Sequence, residues 1–257
     1  MIPQALYKQV EPLDRQRHRG LHMRPLDGWR VAQAMNALFV TVAEFADVCK
    51  EYAIVFVRAG KDPASGREEA VPVALTGLKQ GENLFLRADG QWDARYVPAF
   101  VRRYPFALAQ ADQADPVIVI DAQWSGWCDA ASANAEGAAP AEPLFDAAGE
   151  PAPVLRKVQV FLDNFRQETA RTAVFANRLL EVGLLQPMRF DATLPSGEKL
   201  VVDGFLALDT KKFAELPDAL LGELHRSGVL GLLHLQQMSL GNLYRLVERR
   251  VAAAVER

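Results

Sequence analysis

Arginine and aromatic side chains concentrate in the fourteen-residue stretch 93–106, which holds three arginines, four aromatic residues and two prolines. Guanidinium groups bind carboxylates and phosphates through two parallel hydrogen bonds, and they also stack on aromatic rings. The stretch therefore predicts a surface that binds a carboxylate, a phosphate or a peptide. The candidate ligand-binding residues in it are Arg95, Tyr96, Arg102, Arg103 and Tyr104. The alternative is structural, because charged residues beside an apolar stripe usually form the solvated face of a core helix.

A second candidate site follows the segment 116–121, whose branched apolar residues predict a buried strand. Trp124 and Trp127 come just after it in the sequence, close to Asp121 and Asp129. Amphipathic rings in a loop at the end of a strand are suited to binding a ligand or a peptide. The same two tryptophans are equally suited to closing the end of the sheet, so both interpretations stay open.

Histidine provides one incomplete metal motif, because His18 and His22 are four residues apart and would share a face if the segment were helical. Prolines break the segment, however, and no HExxH pattern completes the motif. Nucleophile-elbow, phosphate-loop and dinucleotide-binding glycine motifs are also absent from the sequence. The sequence therefore predicts no catalytic residue and no particular cofactor, and it leaves a metal-dependent enzyme as an alternative.

Net charge and hydropathy argue against two classes of partner. The 257-residue chain has a formal net charge of -3 and a pI near 5.9, so it lacks the basic balance that nucleic-acid binding requires. No apolar run approaches the roughly 20 residues that span a bilayer, and the N-terminus lacks the features of a cleaved secretory signal. We therefore expect no nucleic-acid partner, no membrane span and a cytoplasmic location. Cys49 and Cys128 are expected as free thiols, with a disulfide left open.

The order of the predicted elements indicates the fold class. Strand patterns dominate the first part of the chain, at 36–42, 53–57, 71–78, 83–86 and 116–121. Helices are predicted among them at 43–52 and 94–103. A long helix is predicted over 154–182 and an antiparallel hairpin over 184–208, and the remainder is helical, with Ser239 expected to cap the last helix. This segregation predicts an α+β fold, with a mainly antiparallel sheet in the N-terminal two thirds, then a long helix, a hairpin and C-terminal helices.

Two segments of the predicted single domain, 1–257, differ from the rest in composition. Residues 1–30 are basic and interrupted by prolines, which predicts an extended N-terminal arm. Residues 130–153 are rich in alanine, glycine and proline and carry acidic but no basic side chains, which predicts a mobile acidic loop. We expect the arm to lie across the domain and the loop to lie on its surface.

Blocks of sequence along nearly the whole chain resemble the bacterial SapC family, and they occur in the family's order. The matching blocks are HRGLHMRPL at 18–26, AEF at 43–45, EYAIVF at 51–56, VALTGL at 73–78, ENLF at 82–85, YVPAFVRRYPF at 96–106, GFLALD at 204–209, RSG at 226–228 and SLGNL at 239–243. The resemblance includes the arginine- and tyrosine-rich stretch, so the family pattern itself contains the first candidate site.

The resemblance implies an accessory role more than a particular reaction. The family is named after a surface-layer locus, members are expected beside outer-membrane uptake receptors, and the family offers no accepted catalytic residues. Three hypotheses follow: a non-catalytic accessory or binding protein for a peptide or other small ligand, linked to nutrient uptake; a metal-dependent enzyme; and a surface-layer-associated assembly protein. The partner is therefore an unknown peptide, small molecule or protein, and a homo-oligomer is left open.

Overall fold

The computed structural model describes residues 6–62, 66–109, 115–134, 137 and 139–255. These residues form antiparallel strands and helices, which confirms the predicted α+β fold. The strands are β1 (Val10–Pro12), β2 (His22–Met23), β3 (Ala37–Phe39), β4 (Ala53–Lys61), β5 (Glu68–Leu75), β6 (Phe106–Ala109), β7 (Val117–Asp121), β8 (Trp127–Cys128), β9 (Glu142–Pro143), β10 (Leu185–Thr193) and β11 (Lys199–Leu208). The α-helices are α1 (Phe45–Val48), α2 (Ala99–Arg102), α3 (Pro153–Glu181), α4 (Thr210–Ala214), α5 (Asp218–Arg226), α6 (Val229–Ser239) and α7 (Asn242–Val255).

A five-stranded antiparallel sheet, in the order β10–β11–β4–β5–β3, lies in the largest hydrophobic cluster. The first four residues of β4, 53–56, are all buried, as a continuous branched apolar run predicts. The ring of Phe175 in α3 lies 5.8 Å from that of Phe45 and 6.1 Å from that of Phe56. α3 therefore packs on this sheet through aromatic contacts with both α1 and β4.

The predicted cap of the last helix is wrong. Ser239 is the last residue of α6, and its hydroxyl accepts the backbone N–H of Ile54 at 2.9 Å while donating to the carbonyl of Gln236. The side-chain amide of Gln236 donates to the carbonyl of Ile54, also at 2.9 Å. α6 thus satisfies both backbone polar groups of one buried residue in β4, which is a tertiary role that local sequence does not reveal.

The long helix and the hairpin after it lie where the sequence predicts them. α3 begins with Pro153, which suits the first helical position because that residue needs no backbone donor. It ends before Gly183, whose φ of 68° gives the left-handed conformation that terminates many helices. β10 and β11 pair antiparallel, with a shift in register between Met188 and Phe190, and β11 joins the hairpin to the central sheet.

The helix predicted over 94–103 is shorter in the structure, where only α2 is helical. Pro98 precedes its first residue with an extended ψ of 140°. The carboxylate of Glu51 accepts the backbone N–H groups of Arg95 and Tyr96 at 3.1 Å. Because a proline disfavours the helical conformation in the residue before it, the helix begins only after Pro98. The bonds from Glu51 satisfy the backbone of the irregular residues ahead of the proline.

The strand predicted over 83–86 is also wrong. The side chain of Asn83 accepts the N–H of Phe85 at 2.9 Å, which forms a local turn that competes with a strand ladder. A single bridge joins Leu86 to Trp92. A turn therefore connects these two residues, although the predicted strand leading into it is absent.

The N-terminal residues contribute strands to two small sheets. β1 pairs with β7 in the sheet β1–β7–β6, and β2 pairs with both β8 and β9. Tyr7 lies in a second hydrophobic cluster together with Tyr104 and Trp124. The start of the described arm thus packs beside the candidate site residues, and residues 1–5 lie outside the described part of the chain.

The end of the predicted acidic loop, 130–153, forms a hydrogen-bonded turn. The N–H of Asp146 donates to the carbonyl of Glu150 at 2.9 Å, and the Asp146 carboxylate accepts the N–H of Glu150 at 2.8 Å. The last residue of the predicted loop already belongs to α3. The loop's mobility stays a prediction. The loop residues outside the described part of the chain are 135, 136 and 138.

Candidate functional site

A cavity of about 770 Å³ lies between the N-terminal arm and the loop that follows β7. Its lining residues come from 6–8, 27–31 and 123–125, together with Asp89 and Tyr104. Pockets that hold small ligands usually measure about 300 to 1,000 Å³. The cavity therefore has the size of a small-ligand site, and segments distant in sequence build it.

Two predicted site residues from separate sequence clusters meet at this cavity. The rings of Tyr104 and Trp124 lie 6.4 Å apart, nearly perpendicular at 84°. Tyr7 of the arm continues the same wall, with its ring 5.5 Å from that of Tyr104. Edge-to-face aromatic groups of this kind form a stable apolar surface. The three rings are the aromatic wall of the cavity.

Asp121, at the end of β7, holds the aromatic wall and the arm together. Its fully buried carboxylate accepts the backbone N–H groups of Lys8 and Gln9 and the phenolic hydroxyl of Tyr104, each at 3.0 Å. It also accepts the N–H of Gln123 at 3.2 Å. A buried carboxylate is tolerated when several donors satisfy it. Asp121 therefore connects three of the segments that line the cavity.

Both tyrosines of the aromatic wall use their hydroxyl groups inside the protein. Tyr7 donates to the carbonyl of Phe106 at 2.8 Å, and Tyr104 donates to Asp121. Burial raises the pKa of Tyr7 to about 12. Burial, together with the adjacent carboxylate of Asp121, also raises the pKa of Tyr104. Both rings are therefore neutral phenols near pH 7, and they present mainly carbon to the cavity.

Arg103 lies behind the aromatic wall and does not line the cavity. Its side chain is only 8% exposed, and its guanidinium carbon lies 4.4 Å from the ring of Phe100, 5.4 Å from that of Phe165 and 6.0 Å from that of Tyr7. Among the described residues, its Nε and one terminal nitrogen have no hydrogen-bond partner. Burial lowers the pKa of the guanidinium. Aromatic rings rather than a carboxylate therefore surround this cation.

The other arginines and the other tyrosine of the central stretch lie away from the cavity lining. The hydroxyl of Tyr96 donates to Glu44 at 3.0 Å and accepts a hydrogen bond from Arg102 at 3.1 Å. Arg102 also packs over the ring of Phe161 at 5.4 Å. Arg95 is exposed. The structure thus divides the predicted arginine and tyrosine surface and brings only Tyr104 to the cavity.

Trp127 supports Trp124 from behind and does not line the cavity. The two indole rings lie 4.8 Å apart at 88°, and the Trp127 N–H donates to the carbonyl of Asp121 at 2.8 Å. Gly126 lets the Trp124 ring lie across the loop, because a Cβ at this position would stand 2.1 Å from the ring. The small residue between the tryptophans is therefore required by their packing.

The polar lining of the cavity carries both signs of charge. Lys8 and Arg30 are positive, and Asp27 and Asp89 are negative. The backbone N–H of Gln91 is the main cause that lowers the pKa of Asp89. The formal charges of the lining side chains therefore cancel, which distinguishes this site from an anion pocket.

The metal-ligating candidates do not meet at one place in the described residues. His18 is buried, with Nδ1 accepting the N–H of Asp14 and Nε2 bonded to Glu11, each at 2.9 Å. Both of its ring nitrogens are thus occupied, and a turn rather than a helix separates it from His22. No group of three or more histidine, cysteine or acidic side chains in the described chain is arranged to hold a metal ion. The free cysteines are Cys49 and Cys128.

Of the lining residues, only Tyr104 and Trp124 were predicted as site residues, and those that were not include Tyr7, Lys8, Asp27 and Arg30. All four belong to the predicted arm, which stands out by its basic residues but has no motif that indicates binding. The sequence predicted only that the arm lies across the domain, and it did not identify which arm residues would contribute to a site. Their role depends on the pairing of β1 with β7, which places the arm over the loop.

The fold and the cavity define an α+β protein with an aromatic-walled pocket of small-ligand size. A family model described as SapC matches residues 13–246, so the chain belongs to the SapC family, as the sequence blocks predicted. Neither the curated proteins nor the solved structures contain a match to the chain. In the described part of the chain, no helix combines the length and the apolar character needed to cross a lipid bilayer.

Proposed function

We propose that this SapC-family protein is a non-catalytic accessory or binding protein for a peptide or other small ligand. The supporting observation is the cavity of about 770 Å³ whose wall joins Tyr104 to Trp124. Ligand pockets combine apolar and aromatic surface with a few polar groups that fix orientation. This cavity has three aromatic rings and four charged side chains, which fits that pattern.

The chemistry of the lining favours binding over proton transfer. No histidine or cysteine stands among the described residues that line the cavity. Its tyrosines have pKa values raised above the ordinary phenol value, so they stay protonated near pH 7. General acid–base catalysis is most effective when a group titrates near the working pH. The lining therefore supplies recognition groups rather than an evident proton donor and acceptor pair.

The cellular location and the biological role are proposed from the family resemblance and from the composition of the sequence. We place the protein in the cytoplasm as a single domain over 1–257, with a role in nutrient uptake. Fractionation of the native cells tests this placement. Recovery with the cell envelope would contradict the cytoplasmic proposal and would favour the surface-layer-associated alternative.

A ligand-retention experiment tests the binding function. The purified protein is incubated with a mixed pool of metabolites and short peptides, separated from free compounds by ultrafiltration, and analysed by mass spectrometry. Ser125 is exposed and lines the cavity, so Ser125→Trp fills the site without touching the buried network. Ser196→Trp, in the exposed turn between β10 and β11, is the matched control. Thermal unfolding verifies that both variants are folded.

Wild type and Ser196→Trp are expected to retain the same compounds, and Ser125→Trp is expected to lose them. Retention of those compounds by Ser125→Trp would show that the cavity is not the binding site. A wild-type protein that retains nothing from the pool, and carries no co-purifying compound in native mass spectrometry from its own host, would contradict the proposed function itself.

A further inference from the structure

We propose that the cavity selects a short peptide with free amino and carboxyl ends and an aromatic side chain. This inference rests on the binding function proposed above and names its ligand class. Three features of the lining support it: a balanced pair of free charges, a second pair of charges already engaged by the protein, and a wall of three aromatic rings.

Arg30 and Asp89 are engaged within the protein. The guanidinium of Arg30 donates to the carbonyl of Ala88 at 2.7 Å. The carboxylate of Asp89 accepts the N–H of Gln91 at 2.8 Å and lies 3.5 Å from Nε of Arg87. These contacts hold the turn at 88–91 against the arm, and they give each charged group a hydrogen-bond or ionic partner within the protein. Neither residue is therefore the first choice for pairing with a ligand.

Lys8 and Asp27 are the free charges of the cavity. In the described part of the chain, neither side chain forms an ion pair or a hydrogen bond with another residue, including with each other. Lys8 is held through its backbone N–H by Asp121, and the carbonyl of Asp27 accepts the side chain of Gln91 at 2.6 Å. Their backbones are thus fixed while their charged groups stay available.

An unpaired ammonium and an unpaired carboxylate at one cavity are complementary to a zwitterion. A ligand carboxylate would pair with Lys8, and a ligand ammonium would pair with Asp27, through charge-assisted hydrogen bonds. A ligand with only a negative charge would leave Asp27 unpaired, and a ligand with only a positive charge would leave Lys8 unpaired. The free ends of a peptide provide both charges in one molecule.

The aromatic wall and the cavity volume favour a peptide over a smaller zwitterion. The hydroxyl groups of Tyr7 and Tyr104 are bonded inside the protein, so their rings and that of Trp124 offer an apolar surface. Aromatic side chains pack on such rings in offset or edge-to-face geometry. The volume of about 770 Å³ is more than twice the lower end of the usual range of about 300 to 1,000 Å³.

The test compares four forms of the dipeptide Ala-Phe by isothermal titration calorimetry with the full-length protein. The forms are the free dipeptide, the N-acetylated form, the C-amidated form and the form blocked at both ends. Each block removes one charge and leaves the aromatic side chain unchanged. We expect each single block to weaken binding about tenfold, the size of one charge-assisted hydrogen bond, and the double block to weaken it further.

Two variants assign the charges to the two ends. Lys8→Gln should bind the free dipeptide about tenfold more weakly while binding the C-amidated form as wild type does. Asp27→Asn should show the same behaviour toward the N-acetylated form. Lys211→Gln and Asp203→Asn, at exposed positions outside the cavity, are the matched controls and should preserve all four affinities.

The outcomes separate this inference from the binding function. Equal binding of the four forms would overturn the zwitterion selection and leave a binding protein for neutral ligands. Absence of binding by any form, while only non-peptide compounds are retained from the mixed pool, would overturn the peptide assignment alone. Absence of binding in both experiments would overturn the peptide assignment and the proposed function together.

Discussion

The phenolic hydroxyl of Tyr104 donates a hydrogen bond of 3.0 Å to Oδ2 of Asp121, seventeen residues further along the chain. The same carboxylate accepts the backbone N–H groups of Lys8 and Gln9. One buried side chain therefore orients a ring of the aromatic wall and fixes the arm, which carries much of the rest of the lining. The shape of the cavity depends on this connection.

Replacing Asp121 with asparagine is expected to destabilise the protein and to loosen the arm. The amide puts a donor where an acceptor is needed, so at least one of the four N–H and O–H donors loses its partner in a buried site. An unsatisfied buried polar group costs about 1–3 kcal/mol. Urea unfolding measures the loss, and limited proteolysis of the arm measures its release. Asp203→Asn, at an exposed position, should change neither.

Arg103 is expected to contribute through packing and ring contacts rather than through a paired charge. Arg103→Ala leaves a cavity among Phe100, Phe165 and Tyr7 and should cost about 2–4 kcal/mol. Arg103→Met fills most of that space and removes the desolvation cost of a buried cation, so it should stay within about 1 kcal/mol of wild type. Chemical denaturation compares the two variants. A methionine variant as unstable as the alanine variant would show that the charge itself is essential.

The long regular elements followed from local patterns, whereas the corrections came from local turn and proline effects as well as from tertiary contacts. The helix over 154–182 and the hairpin after it were predicted because apolar spacing and turn residues suffice to specify them. The helix predicted over 94–103 was shortened because Pro98, whose ψ is an extended 140°, disfavours a helical conformation in the residue before it. Ser239 was misassigned because its partner, Ile54, is distant in the sequence.

The candidate site was predictable only where residue type carried the signal. Tyr104 and Trp124 were identified because aromatic residues beside charges suit binding, and both line the cavity. Arg103 shared that pattern, yet it lies behind the wall because its side chain packs among aromatic rings. Tyr7 and Lys8 were missed because the position of the arm depends on contacts with residues more than a hundred positions away in the sequence. Local sequence patterns do not specify such contacts.

Gly126→Ala is expected to displace the Trp124 ring. The new Cβ would stand 2.1 Å from the indole, so either the ring or the loop must move. Overpacking of this kind costs about 1–3 kcal/mol. Near-ultraviolet circular dichroism should change together with the free energy of unfolding. Gly20→Ala is the matched control, because its Cβ meets nothing within 4 Å, and an equal loss in both variants would contradict the packing argument.

Alkaline pH is expected to destabilise the protein through its buried tyrosines. Burial raises the pKa of Tyr7 to about 12, above the ordinary value of about 10, and raises that of Tyr96 to about 12 as well. The unfolded chain therefore binds fewer protons than the folded chain between pH 10 and 12. Stability that is complete below pH 10 is lost as the pH rises through the folded-state values, by up to about 1.4 kcal/mol per pH unit for the buried Tyr7 and by less for Tyr96, which is only partly buried.

The variant Tyr7→Phe distinguishes the effect of tyrosine ionisation on stability from the effect of losing the Tyr7 hydrogen bond. The variant should be less stable than wild type at pH 8, because the carbonyl of Phe106 loses its donor. Its stability should then fall less steeply than that of wild type between pH 10 and 12, since one buried proton fewer is released on unfolding. Tyr244→Phe, at a side chain 68% exposed, should keep the wild-type slope. Parallel curves for wild type and Tyr7→Phe would mean that Tyr7 ionises as readily in the folded protein as in the unfolded chain, and that the aromatic wall is open to water at its arm side.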